Sequence, residues 1–278
     1  MKKYLLAVTA IITFVVFEQS CNKDSNSIGK QSVPAGLTDG VSATGNNLDS
    51  GLIVYYKFNG NLADSSGLHN RGVLKYGSTG DTGAVTKVTY VPDRFGNSKS
   101  AISFGSSTGY IEVPEKDIDG LTSATISMDF FASTFTSGTQ VLMSKMSYDI
   151  NEGAPGFYQS IVNAFITTSD LGFSVRLDGD CDAELGTDWI NVTSSKAFKA
   201  NAWNNEVIEF NDNVERLYLN GILVGTVTKT QSPICSGEPL RLAVWWAQDP
   251  QYFTGKMDEF RIYKRVISTA DIKALSAL

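Results

Sequence analysis

The 278-residue chain is 42% hydrophobic, 19% charged and 11% aromatic, which is globular composition and long enough for one large domain with a substantial core. A net charge of −6 and the absence of any basic run exclude a nucleic-acid surface, which needs a Lys/Arg stripe against phosphate. The single histidine, His69, argues against a His-rich metal centre or a Ser-His-Asp relay and reads as a solvated loop residue.

The amino terminus reads as a processing segment. Lys2 and Lys3 precede an apolar stretch, Tyr4 to Phe17, of 14 residues. A spanning helix needs about 20, so residues 1–20 are expected to be a signal peptide. Ser20 directly before Cys21 resembles a bacterial lipobox, although Glu18 departs from the apolar residue usual at its position. The resemblance implies lipidation of Cys21, membrane contact through that anchor only, and a place at the bacterial outer membrane or cell surface. A soluble secreted chain cut near Ser20 is the alternative. Lys23 and Asp24 lie where surface-export signals occur in some Bacteroidetes lipoproteins. Residues 21–50, rich in Ser, Asn, Gly and Thr, bury too little to fold and are expected to form a flexible tether reaching about 30 Å.

The domain is expected over residues 51–278. LIVYYKF (52–58) predicts a first strand, followed by turns at Asn59-Gly60-Asn61 and Asp64-Ser65-Ser66-Gly67. A second strand is expected around Gly72 to Leu74, and residues 77–99 read as a long loop or two short edge strands. SAISFGSSTGYIEVP (100–114) predicts two strands across a Gly/Ser turn. In ATISMDFFA (124–132), Ile126, Met128 and Phe130 alternate with their neighbours, the period of a half-buried strand. QVLMSKMS, residues 156–166 and residues 171–177 continue at the spacing of about 8–12 residues expected of a sandwich. Residues 203–210 and 215–227 form a hairpin pair, with Asn220-Gly221 as the turn dipeptide that tolerates positive φ at both positions. PLRLAVWW (239–246) is expected to pair with the closing strand. In that strand Phe260 and Ile262 share the apolar face, with Asp258 at its start, and Ser268 followed by Asp271 marks a helix start.

GLIVYYKFNGNLADSSG at one end, Gly109-Tyr110 before a strand ending at Pro114, and FTGKMDEFRIYKRVISTADIKA at the other together resemble the LamG-like family of the concanavalin A-like lectin/glucanase superfamily. The resemblance covers about residues 51–278 and implies an all-β fold, a two-sheet antiparallel jelly-roll sandwich with a short C-terminal helix. It also implies a structural Ca²⁺ where the first turn meets the last strand. Asn59, Asp64 and Asp258 match those positions and offer oxygen ligands, of which calcium takes about six to eight. The residues leave a second reading open, an Asx turn at Asp64 and a surface hydrogen bond at Asp258. Cys181 and Cys235, a pair in an exported chain, are expected to form a disulfide, with two unrelated buried thiols as the alternative.

Glycosidases of this fold carry Glu-x-Asp-x-x-Glu on one strand, and that spacing is absent. Glu206 and Glu209 are expected on opposite faces of a strand, Asp258 and Glu259 face apart, and Asp180, Asp182 and Glu184 read as a solvated acidic loop. No enzyme is expected. Trp245 and Trp246 are adjacent and point to opposite faces of a regular strand. Leu240, Leu242 and Val244 share a face with Trp246, which puts Trp245 outside with Arg241. Trp189 has no obvious structural duty, whereas Trp203 reads as core. Trp245, Trp189 and Arg241 are therefore the candidate ligand contacts, although these aromatics also suit a sandwich filling. The expected function is non-catalytic, lectin-like binding of an extracellular glycan. A protein-protein adhesion or scaffold role towards a surface protein is the alternative, and a divergent glycoside hydrolase a further one.

Overall fold

The computed structural model describes residues 47–77, 88–105, 108–133, 138–148, 157–168, 171–176, 182–184, 189–211, 213–228, 234, 239–245 and 251–278. Residues 45–278 form one compact unit. The strands are β1 (Leu52–Tyr56), β2 (Val73–Tyr76), β3 (Thr89–Val91), β4 (Ala101–Ser103), β5 (Gly109–Val113), β6 (Ala124–Ala132), β7 (Gln140–Tyr148) and β8 (Phe157–Ile166). They continue as β9 (Leu171–Arg176), β10 (Asp182–Glu184), β11 (Trp189–Thr193), β12 (Trp203–Asn211), β13 (Val214–Leu219), β14 (Ile222–Thr228), β15 (Leu240–Leu242) and β16 (Gly255–Tyr263), with helix α1 (Thr269–Leu275) after them.

Two antiparallel sheets result. The first runs β14-β13-β12-β6-β16-β4-β3, with β1 also on β16; the second runs β11-β9-β8-β7-β15-β5-β2, with β10 on β8. The expected all-β sandwich with a C-terminal helix is the observed architecture. Ile126, Met128 and Phe130 of β6 point into the core between the sheets, as their alternation predicts. Ile208 and Phe210 of β12 join them from one side, and Ile111, Val113, Leu240 and Leu242 from the second sheet. Asn220 (φ 51°) and Gly221 (φ 75°) turn β13 into β14, so the hairpin dipeptide acts as predicted. Ser268 caps α1 by accepting from the Asp271 amide, and its hydroxyl donates to the Asp271 carboxylate. The helix lays Ile272 and Leu275 over Val207, Tyr218 and Tyr263 on the outer face of the first sheet.

Local pattern and tertiary structure part company in several places. Residues 240–242 do not pair with the closing strand. β15 lies in the second sheet between β5 and β7, because β16 already has β6 on one side and β1 and β4 on the other. Residues 182–184 form a short strand against β8 rather than a loop. Trp203 is half-buried, packing edge-on to Phe131 at 6.0 Å instead of entering the core. Glu206 and Glu209 do face apart, as expected. Glu209 bonds Tyr218 and Thr125 on the outer face, whereas Glu206 enters the core beside Met128 and Leu219 with neither oxygen bonded.

Candidate functional site

The closing strand carries a bulge. Asp258 pairs with Asp129 of β6, yet Arg261 pairs with Ser127, so β16 holds one residue more than its partner over this stretch. Glu259 takes φ 53°, left-handed backbone that a non-glycine side chain adopts at a cost. The extra residue resets the alternation. Met257, Phe260 and Ile262 all reach the core, and Asp258 with Arg261 turns outward, so Asp258 does not share a face with Phe260. Asp258 and Glu259, expected to face apart, both line one open pocket of about 410 Å³.

That pocket lies among the end of β1, the bulge and the β3–β4 turn. Tyr55 and Asn59 come from the first element, Asp93, Phe95, Asn97 and Ser100 from the turn, and Leu278 closes one side. Asp93 shapes the turn. Its carboxylate accepts from the Phe95 and Asn97 amides (2.8 and 2.9 Å) and from the Asn97 side chain (2.8 Å). Burial raises this carboxyl, but those hydrogen bonds together outweigh it and hold it below its ordinary value. The turn presents Phe95 with 66% of its surface exposed. The Arg94 guanidinium covers one face of the ring, 5.0 Å from its centroid. Arg94 itself is fixed by Asp129 (3.0 Å) and by the Leu278 main-chain oxygen (2.8 Å).

The floor is a charged cluster. Tyr55 donates to Glu259 (2.7 Å), Arg261 donates to both Tyr55 and Glu259, and the Arg261 guanidinium stacks 4.0 Å over the Tyr55 ring. Burial, then the Glu259, Asp129 and Asp93 carboxylates, push Asp258 up to about 8, against one backbone hydrogen bond from Glu259. Burial likewise takes Asp129 to about 6, against the pull of Arg94. Burial and the neighbouring carboxylates thus favour the protonated form of Asp258, which can donate as well as accept.

The expected calcium ligands do not come together. Asn59 and Asp258 share the pocket, but Asp64 lies outside its walls. The Asp64 carboxylate accepts from the amides of Tyr55 (2.9 Å), Ser66 (2.9 Å) and Asn70 (2.8 Å) and from the Ser66 hydroxyl (2.7 Å). Burial opposes its ionisation, and these bonds outweigh burial and hold it below its usual range. Asp64 is the knot of the first turn. Among the described residues no group of three or more His, Cys, Asp or Glu side chains is disposed to hold a metal ion.

The three ligand contacts expected from sequence belong to the second sheet. Arg241, in β15, is 8% exposed and lies 3.7 Å from Glu112, so it faces a carboxylate rather than solvent. Trp189 pairs with Arg176 at the outer strand β11, four strands from β15, about 19 Å at the usual strand spacing. Trp245 follows the end of β15. Ala243 takes φ 71°, which breaks the alternation used to place Trp245 on the Arg241 face, and the Ser144 hydroxyl donates to the carbonyls of Val244 and Trp245. Trp245 is half-buried, and the three residues do not converge. Cys21, Cys181, Cys235 and Trp246 lie outside the described residues.

Among the pocket residues that sequence reading missed, beside Tyr55, Glu259 and Arg261 of the floor, are Phe95, Asp93 and Asn97. Their signal was an isolated aromatic inside Asp-Arg-Phe-Gly-Asn, turn-forming residues around a ring that no strand pattern claims.

A family model described as Concanavalin A-like lectin/glucanases superfamily matches residues 104–273. The chain belongs to this superfamily. No curated protein is similar to this concanavalin A-like chain in sequence. Domain 4 of AbnA, an extracellular GH43 arabinanase of Geobacillus stearothermophilus solved in complex with arabinotriose, superposes with TM-score 0.59 at 19% identity, covering 81% of this chain and 98% of that one. The binding domain of Paraclostridial Mosquitocidal Protein 1 gives 0.58 at 15%, covering 82% and 52%. The receptor-binding domain of botulinum neurotoxin D gives 0.56 at 13%, covering 82% and 53%. The chain thus spans about half the length of the toxin binding domains. At these identities the likeness is one of fold.

Proposed function

We propose that this concanavalin A-like domain is a non-catalytic carbohydrate-binding module, held outside the cell by a lipid on Cys21. The observation that carries the reading is the bulge pocket, where an exposed aromatic ring stands beside hydroxyl, amide and carboxyl groups. Sugars need that pairing, an apolar surface for the C–H face of the ring and hydrogen-bonding groups for its hydroxyls. The arabinotriose complex of the Geobacillus domain and the complex of botulinum neurotoxin DC binding domain with SialylT support a glycan as the ligand class.

The pocket is poorly set for hydrolysis. A glycosidase needs one protonated acid and one ionised carboxylate free to act on the sugar. Asp258, whose protonated form its surroundings favour, suits the first role, but Glu259 is engaged by Arg261 and Tyr55, and Asp93 by its own turn. A glycan array probed with the protein should show binding, and the bound oligosaccharide should be recovered intact. An array with no retained glycan, or release of new reducing ends, would overturn the proposal.

A further inference from the structure

We infer that the bulge pocket takes one uncharged sugar ring, stacked on Phe95, and rejects acidic sugars. The inference rests on the glycan-binding reading and adds the seat of binding and the charge of the ligand.

The size suits a small ligand. At about 410 Å³ the pocket falls within the range of about 300–1,000 Å³ common for small-molecule sites. Its exposed aromatic platform is Phe95, whose ring has one face toward Arg94, with Leu278 as a second, aliphatic surface. Tyr55 cannot serve as a second platform, because Arg261 lies 4.0 Å over its ring and Lys57 5.1 Å from the centroid. A single platform accommodates one ring.

The hydrogen-bonding groups left over are neutral in character. The Asn59 side chain joins none of the bonds that organise the pocket, and Asn97 uses its amide nitrogen on Asp93 but not its carbonyl oxygen. Asp258 uses one carboxyl oxygen on the Glu259 amide, and the other makes no bond. Together they supply donors and acceptors for sugar hydroxyls.

Charge decides against an acidic ligand. Both arginines of the site already face carboxylates, Arg261 with Glu259 and Arg94 with Asp129. Asp93 adds a negative charge with no cation paired to it. A uronate or sialic acid carboxylate would therefore find both guanidiniums already facing carboxylates, with the exposed Lys57 ammonium as a nearby cation without an ion pair among the described residues. It would approach the Asp93 and Glu259 carboxylates, like charges that repel where water is partly excluded.

The test is calorimetric titration of the protein at low salt with neutral trisaccharides of arabinose, galactose and glucose, and with the corresponding oligogalacturonate and oligoglucuronate. At least one neutral trisaccharide should bind ten or more times more tightly than its acidic counterpart, with the gap narrowing in high salt. Phe95→Ala should weaken that binding at least tenfold with an unchanged melting temperature, since the ring is exposed. Glu259→Gln should narrow the neutral preference by releasing Arg261. Neutral binding unaffected by Phe95→Ala and by a blocking Asn59→Trp variant overturns the assignment of the seat, while the glycan-binding function stands. Equal or tighter binding of the acidic sugars overturns the charge selectivity. No binding of any sugar, here and on the array, overturns the glycan reading itself.

Discussion

Replacing Glu206 by glutamine tests how the interior tolerates a charge. Glu206 is fully buried, flanked in register by Met128 and Leu219, and neither carboxyl oxygen has a partner. Burial pushes this carboxyl from its ordinary 4.5 up to about 8. Between those values the folded chain holds a proton that the unfolded chain has lost, so stability falls as pH rises through that window. The slope is at most about 1.36 kcal/mol per pH unit for one group. Carried from 4.5 to about 8, it amounts to about 5 kcal/mol, the stabilisation present at acid pH and lost by mild alkali. Glutamine has nearly the same shape and no ionisation. At pH 5, Glu206→Gln should match the parent within about 1 kcal/mol. At pH 8 it should be more stable by about 3–5 kcal/mol, a rise in melting temperature of roughly 10 °C for a domain of this size. Urea or thermal denaturation at the two pH values measures both quantities. An advantage no larger at pH 8 than at pH 5 would show that the carboxylate finds a partner in the folded chain, and the reasoning would fall.

Asp64→Ala should destabilise the domain by about 2–4 kcal/mol, because four donors lose their acceptor, and by the same amount in calcium as in chelator. A loss seen only with calcium present would return Asp64 to the role of metal ligand. Titration of the unfolded, unreduced protein should find Cys181 and Cys235 bonded, and reducing that link should lower stability by about 4 kcal/mol. Two free thiols would refute it.

How much of the molecule was legible depends on the range of the force responsible. The alternation in β6, the Asn220-Gly221 turn and the Ser268 cap are local, each set by a few neighbouring residues, and the structure has them as the sequence predicts. The superfamily was legible in the closing-strand motif for the same reason, and the family model spans residues 104–273. The site was not. The bulge at Asp258 and Glu259 exists only as a mismatch in length between β16 and β6, strands that lie more than a hundred residues apart, and no local pattern records it. One inserted residue reverses every side chain beyond it, which is why Asp258 left the predicted apolar face. The positive φ of Ala243 likewise interrupts the alternation used to place Trp245. Thus the amino-acid sequence by itself determined most of the strands, the Asn220-Gly221 turn and the sandwich class, but not β10, β11 or the place of β15. Tertiary structure alone decided which carboxylates share a pocket, because only the pairing of distant strands brings Tyr55, Phe95 and Asp258 to one place.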